Sequence, residues 1–214
     1  MLRAGLTGGI ACGKSAVAKM LRERKCRVLD ADKIAHAVIE PGEPAYEDVV
    51  REFGKDILVA DGRVDRSKLA RLVFADRVRL DRLSQIIHPR VADVLDEEFA
   101  ELASRKFEGV AVVEAAPLIE SNYHKKLDRL IVVWCRPEQQ LERLTNSQMG
   151  RGMSRAEAEQ RIASQMPVEQ KRALANDQID TSGTLDQTRE QVEALVARLK
   201  QLAAERGRAP GGRR

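Results

Sequence analysis

With 214 residues, 43% of them hydrophobic, the chain can bury one sizeable core, which predicts one α/β domain carrying insertions instead of two independent domains. Its longest purely apolar run, 130–135, is far too short to span a bilayer, and its three cysteines form no C-x-x-C pair; an exported or membrane protein, a disulfide framework and a zinc site are set aside, and a reducing, cytoplasmic setting is expected. Arg208, Arg213 and Arg214 supply three of the four net positive charges, so the pI near 9.1 points to no nucleic-acid partner; 207–214 reads as a disordered basic tail behind a domain spanning 1–206.

Short apolar runs alternate with helical patterns along the chain, which predicts a parallel sheet built from β-α units, with ligands held along its carboxyl edge. The first predicted strand, 2–7, runs into Gly8-Gly9-Ile10-Ala11-Cys12-Gly13-Lys14-Ser15, which matches the phosphate-loop pattern G-x-x-x-x-G-K-S/T in full. The helical pattern Val17, Met20, Leu21 follows directly. Glycines let such a loop curl until its N–H groups point inward at phosphate oxygens, and the helix N-terminus adds partial positive charge. Lys14 then reaches the β- and γ-phosphates of ATP and Ser15 offers its hydroxyl to Mg²⁺, within a predicted nucleotide-binding set of Gly8, Gly9, Ile10, Ala11, Cys12, Gly13, Lys14, Ser15 and Ala16. Cys12 is a small loop residue whose thiol the helix N-terminus and Lys14 could acidify.

The second strand, 27–29, closes on Asp30-Ala31-Asp32, where alternation along an extended segment sends both carboxylates to one side. Asp32 reads equally as a base for a hydroxyl acceptor and as a helix N-cap. The helical patterns of 33–108 exceed what a crossover needs and predict an acceptor-binding insertion, punctuated by Pro41-Gly42, Asp61-Gly62 and His88-Pro89. Within it, Arg66 and Lys68 are candidates for an acceptor's pyrophosphate or a solvated helix start, and His88 is a candidate acceptor-site residue or a capped turn. The third strand, 110–113, ends at Glu114, where a partner for a magnesium-bound water is expected; a solvated strand-end charge is the alternative. After the fourth strand, 130–134, come a helix at 138–144, a mobile lid over 145–165 and a helix opened by a Ser154-x-x-Glu157 capping box. A fifth strand at 178–180 precedes a charged helix over core residues Val192, Leu195, Val196 and Leu199.

Together these residues resemble the dephospho-coenzyme A kinase family from about Leu6 to about Val196. The similarity is carried by Gly5-Leu6-Thr7 leading into the phosphate loop, Asp30-Ala31-Asp32 with Pro41-Gly42, and Phe53-Gly54, Asp61-Gly62, Asp65-Arg66 and His88-Pro89 in order. Gln165-Met166-Pro167, Lys171, Ile179-Asp180 and Ser182-Gly183 continue it toward the C-terminus. The resemblance implies a P-loop, nucleotide-kinase-like fold with a five-stranded parallel sheet flanked by helices, a helical acceptor-binding insertion and a lid. It implies transfer of the ATP γ-phosphate to the ribose 3′-hydroxyl of dephospho-coenzyme A, with ATP, dephospho-coenzyme A and Mg²⁺ as the partners and no nucleic acid or membrane. It turns Asp32 toward the general base, makes Arg151 a lid arginine on the transferring phosphate, places Ser182 and Gly183 beside ATP, and adds Arg161 to the acceptor residues Asp32, Arg66 and His88.

This chain departs from the family pattern in three places. Glu114-Ala115-Ala116-Pro117-Leu118-Ile119-Glu120 stands for Asp-x-Pro-Leu-Leu-x-Glu, 146–150 lengthens the lid loop, and Thr181 replaces an Asn. Read without the resemblance, the residues leave open another small-molecule or nucleoside monophosphate kinase of the same fold. A GTP-driven switch lacks its N-K-x-D motif.

Overall fold

A computed structural model describes residues 1–149 and 152–208. In chain order the elements are β1 (Leu2–Gly8), α1 (Lys14–Glu23), β2 (Arg27–Asp30), α2 (Ala31–Ala37), α3 (Tyr46–Phe53), α4 (Arg66–Phe74), α5 (Arg77–Ser104) and β3 (Val110–Glu114). They continue with β4 (Arg129–Trp134), α6 (Pro137–Thr145), α7 (Arg155–Ala163), α8 (Val168–Leu174), β5 (Asp177–Asp180) and α9 (Leu185–Arg208). The chain divides into two compact units, Met1–Leu29 with Glu101–Arg214, and Asp30–Ala100.

The first unit is a five-stranded sheet in the order β2-β3-β1-β4-β5. β1 is central, pairing in parallel with β3 through Leu6↔Glu114 and with β4 through Gly8↔Val133. Every residue of β3 and the middle of β4 are buried, as strands covered on both faces require. On one face Leu2, Ala4, Leu6, Val112, Ile131, Val133 and Ile179 meet Val17 and Leu21 of α1 and Val192, Leu195, Val196 and Leu199 of α9. Each such Leu, Ile or Val side chain taken from water contributes about 1.5–3 kcal/mol, and the four α9 positions are those the sequence predicted. Pro137 opens α6, where its missing N–H costs nothing, and the Ser154–Glu157 capping box opens α7. α9 runs on through Gly207 to Arg208, so the first two residues of the predicted tail are helical; propagation from the buried turn around Leu199 and Ala203 outweighs the glycine penalty of about 1 kcal/mol. Residues 209–214 lie outside the described residues.

The second unit has its own core of Val38, Ile39, Ala45, Val49, Ile57, Val64, Leu69 and Val73, against which Leu80, Leu83, Ile86, Ile87, Val91 and Val94 of α5 pack. Its bounds, Asp30–Ala100, compare with 33–108 for the predicted insertion. His88-Pro89 does not punctuate it: α5 is one 28-residue helix with Pro89 inside. An interior proline removes an i→i−4 hydrogen bond and costs about 3 kcal/mol. Apolar residues on both sides of Pro89 share one core, and that burial offsets the loss. No helix among the described residues is long and apolar enough to cross a membrane.

Candidate active site

The phosphate loop joins β1 to α1 and its shape follows from crowding. A Cβ at Gly8 would lie 2.0 Å from the Val133 carbonyl oxygen, and one at Gly9 would lie 2.8 Å from Gln140 Nε2 and 2.9 Å from Cys12 Sγ. Gly13, at φ 82°, caps α1 in the left-handed region and brings no side chain to compete for the first-turn N–H groups, leaving that end suited to an anion. Lys14 opens the helix and its Nζ donates to Gly8 O at 3.2 Å and Gly9 O at 3.1 Å, so the ammonium sits over the loop. Ser15 and Ala16 are exposed in the same turn.

Side chains from distant elements hold the loop; the sequence reading named Gln165 and Thr181 without this role and missed Gln140 and Arg143. Ile10 N–H donates to Gln165 Oε1 at 2.9 Å, and Gln140 Nε2 donates to Ile10 O at 2.8 Å. Ala11 takes φ 59°, a conformation that costs a non-glycine residue energy. Arg143 of α6 grips that residue, donating Nη1–H to Ala11 O at 3.3 Å, while Nη2–H reaches Thr181 O at 2.8 Å. The Thr181 hydroxyl lies 2.9 Å from Cys12 O and 3.1 Å from Trp134 O, so the threonine that replaces the family asparagine ties the β5 loop to the phosphate loop. In the sequence, Arg143 is one charge on a polar helix, and only its meeting with two backbone carbonyls makes it a clamp.

Glu114, Ser182 and Gly183 lie at or just beyond the carboxyl ends of β3 and β5. Ser182 Oγ accepts from Arg136 N–H at 3.1 Å and Ser182 O from Gln139 Nε2 at 2.9 Å; a Cβ at the adjacent Gly183 would fall 2.1 Å from Gln187 Oε1. Glu114 ends β3 with 8% exposure, and its carboxylate meets Arg22 of α1 at 3.4 Å. Behind it, fully buried Lys171 pairs with Glu120 at 2.8 Å and donates to Ala116 O at 2.9 Å, an oxygen that also accepts from the Thr7 hydroxyl. Arg161 is half-buried near the end of α7, and Arg151 lies outside the described residues.

In the second unit, Asp30, not Asp32, caps α2: its carboxylate accepts from Lys33 N–H at 3.0 Å. The predicted alternation of the two carboxylates does not hold, because the chain turns helical at Ala31. Asp32 is an exposed first-turn residue, two positions beyond the end of β2. Arg66, first residue of α4 behind its cap Asp65, pairs with Glu40 at 2.7 Å, and half-buried His88 lies within α5.

A strand, a glycine-rich phosphate loop and a helix at the centre of a five-stranded parallel sheet define a P-loop nucleotide-binding fold, and comparison with known proteins gives the family. The family profile described as dephospho-CoA kinase matches residues 2–187. The chain is 42% identical to the dephospho-CoA kinase of Carboxydothermus hydrogenoformans over 92% of its length and 93% of that protein's, and 44% identical to that of Thermobifida fusca over 92% and 94%. The crystal structure of TT1252 from Thermus thermophilus superposes with a TM-score of 0.75 at 33% identity, covering 92% of this chain and 97% of that one. The chain belongs to the dephospho-CoA kinase family, ATP-dependent kinases of the last step of coenzyme A biosynthesis.

Arg143→Ala should raise the KM for ATP about tenfold or more, since hydrogen bonds from a charged group are worth roughly 1.5–3 kcal/mol each and Ala11 would be left unsupported. Arg143→Lys should recover little, because an ammonium cannot span two carbonyls as the guanidinium fork does. Steady-state kinetics with ATP varied test this; an unchanged KM in the alanine variant would overturn the clamp.

Proposed function

We propose that Lys14, Asp32 and Arg151 carry out transfer of the ATP γ-phosphoryl group to the ribose 3′-hydroxyl of dephospho-coenzyme A. The reading is carried by Lys14, whose ammonium lies over the loop at the N-terminus of α1, where the phosphates of ATP fit. Asp32 takes the proton of the acceptor hydroxyl as that oxygen attacks phosphorus. That role is supported by its exposed place in the first turn of α2, behind Asp30, whose carboxylate caps the helix at Lys33 N–H. Lys14 and Arg151 offset the negative charge on the transferring group, and the loop N–H groups with Ser182 and Gly183 orient the nucleotide. Arg66, His88 and Arg161 bind the acceptor.

Ser15 and Glu114 fit a hard divalent cation, because both offer oxygen and Mg²⁺ takes few protein ligands beside the phosphates. Held by Ser15 and Glu114, such a cation would supply positive charge to offset that of the phosphates. Arg22, 3.4 Å from Glu114, pairs with that carboxylate at the end of β3. The three free thiols support a cytoplasmic setting.

Supplied with ATP, Mg²⁺ and a panel of acceptors, the protein should turn over dephospho-coenzyme A, with a product heavier by one phosphoryl group at the 3′ position by mass and NMR. No turnover when the divalent cation is chelated completes the expected result. Faster turnover of AMP or of a small alcohol would overturn the acceptor assignment.

A further inference from the structure

Cys12 and Cys135 are 123 residues apart in sequence and meet beneath the phosphate loop, where the Cys135 thiol donates to Cys12 Sγ at 3.4 Å. The meeting follows from strand register. β1 and β4 are parallel neighbours with Gly8 opposite Val133, so the loop leaving one and the residue just beyond the other share an edge. Both side chains are buried, with 0% and 1% exposure. Neither sulfur has a task in phosphoryl transfer.

The two thiols are chemically unequal. The hydrogen bond from Cys135 lowers the Cys12 pKa to about 7; the charges of Lys14 and Arg143 add to it against the opposing effect of burial. The same contact, with burial, pushes the Cys135 thiol far up. A nucleophilic thiolate is thus held against a resolving thiol, the arrangement that favours disulfide formation over further oxidation. Closing from 3.4 Å to a bond of about 2.05 Å asks the sulfurs to move roughly 1.4 Å.

We propose that Cys12 and Cys135 form an oxidisable dithiol, a modification site at which a hydroperoxide converts the pair to a disulfide and closes the phosphate loop to ATP. The Cys12 thiolate attacks one peroxide oxygen; the O–O bond breaks, the leaving oxygen takes up a proton and departs as water or alcohol, and Cys12 becomes a sulfenic acid. The Cys135 sulfur then attacks the Cys12 sulfur, the S–O bond breaks, and hydroxide leaves as water with the Cys135 proton. Two thiols lose two electrons and the peroxide gains them. Cys12 lies between Ala11 at φ 59° and Gly13 at φ 82°, and its carbonyl accepts from Thr181, so drawing its side chain toward β4 turns the loop N–H groups away from the positions phosphate requires. Because both thiols are buried, oxidation follows loop opening, and bound ATP slows it.

The inference rests on nucleotide binding by the loop and not on the acceptor. The full-length protein, reduced and then exposed to hydrogen peroxide, should lose about 2 Da, yield a Cys12–Cys135 cross-linked peptide, and bind a fluorescent ATP analogue at least about tenfold more weakly. Dithiothreitol should restore both mass and binding. Cys135→Ala, given the same exposure, should show no such mass loss and keep its affinity for the analogue. Oxidation of the wild type only to sulfinic acid, retention of both thiols, or an equal loss of affinity in Cys135→Ala would each overturn the proposal. Mass and nucleotide affinity are read without the acceptor, so failure here is distinct from failure of the kinase reading.

Discussion

Lys14→Ala should lose on the order of 10³-fold or more in kcat while the protein stays folded. The side chain sits at the first position of α1 with its Nζ on Gly8 O and Gly9 O, so its charge is held over the loop. A charge that acts most strongly on the migrating phosphoryl group lowers the barrier more than it tightens the ground state, and its loss appears in kcat more than in KM. Lys14 belongs to no apolar core, so thermal unfolding should be nearly unchanged. Steady-state kinetics beside a melting curve decide the matter. Activity within tenfold of wild type would remove Lys14 from the chemistry.

Asp32→Asn should lower kcat roughly 10²-fold or more with ATP affinity nearly intact, because the amide keeps the size of the carboxylate but cannot accept the acceptor's proton. The structure sharpens this test, since the cap of α2 is Asp30, bonded to Lys33 N–H at 3.0 Å. Asp30→Ala should therefore cost about 1 kcal/mol of stability, which melting curves read, whereas Asp32→Asn should leave the melting temperature close to wild type. Near-normal turnover by Asp32→Asn would return the residue to a surface role and leave the site without its base.

The phosphate loop and the five strands were legible because their signals are local. Gly8 to Ser15 form a contiguous pattern between an apolar run and a helical one, and each predicted strand lies within the observed element or within one residue of it. The dephospho-CoA kinase assignment was equally legible, since it rests on motifs in order along the chain. Local rules went wrong where packing overruled them. Pro89 reads as a break, yet Ile86 and Ile87 before it and Val91 and Val94 after it share one core and keep α5 continuous. The cap reading of Asp32 fell on the wrong aspartate: the helix starts at Ala31, so Asp30 caps it.

What only the tertiary structure decided are the contacts between residues far apart in sequence. Thr181 reaches Cys12 across 169 positions and Cys135 reaches it across 123, because β1, β4 and β5 lie side by side in the sheet. Arg143 carries no motif that marks it off from a surface charge, and the resemblance that picks out Lys171 gives it no role. Arg143 becomes a clamp by meeting Ala11 O and Thr181 O, and Lys171 can be fully buried only because Glu120 and Ala116 O satisfy its ammonium. The sequence thus determines which loop takes the phosphate-loop shape, through conformational and electrostatic preferences that act within a few residues. How rigidly that loop is held, and which thiol faces Cys12, depend on strand order, which brings distant side chains to one edge.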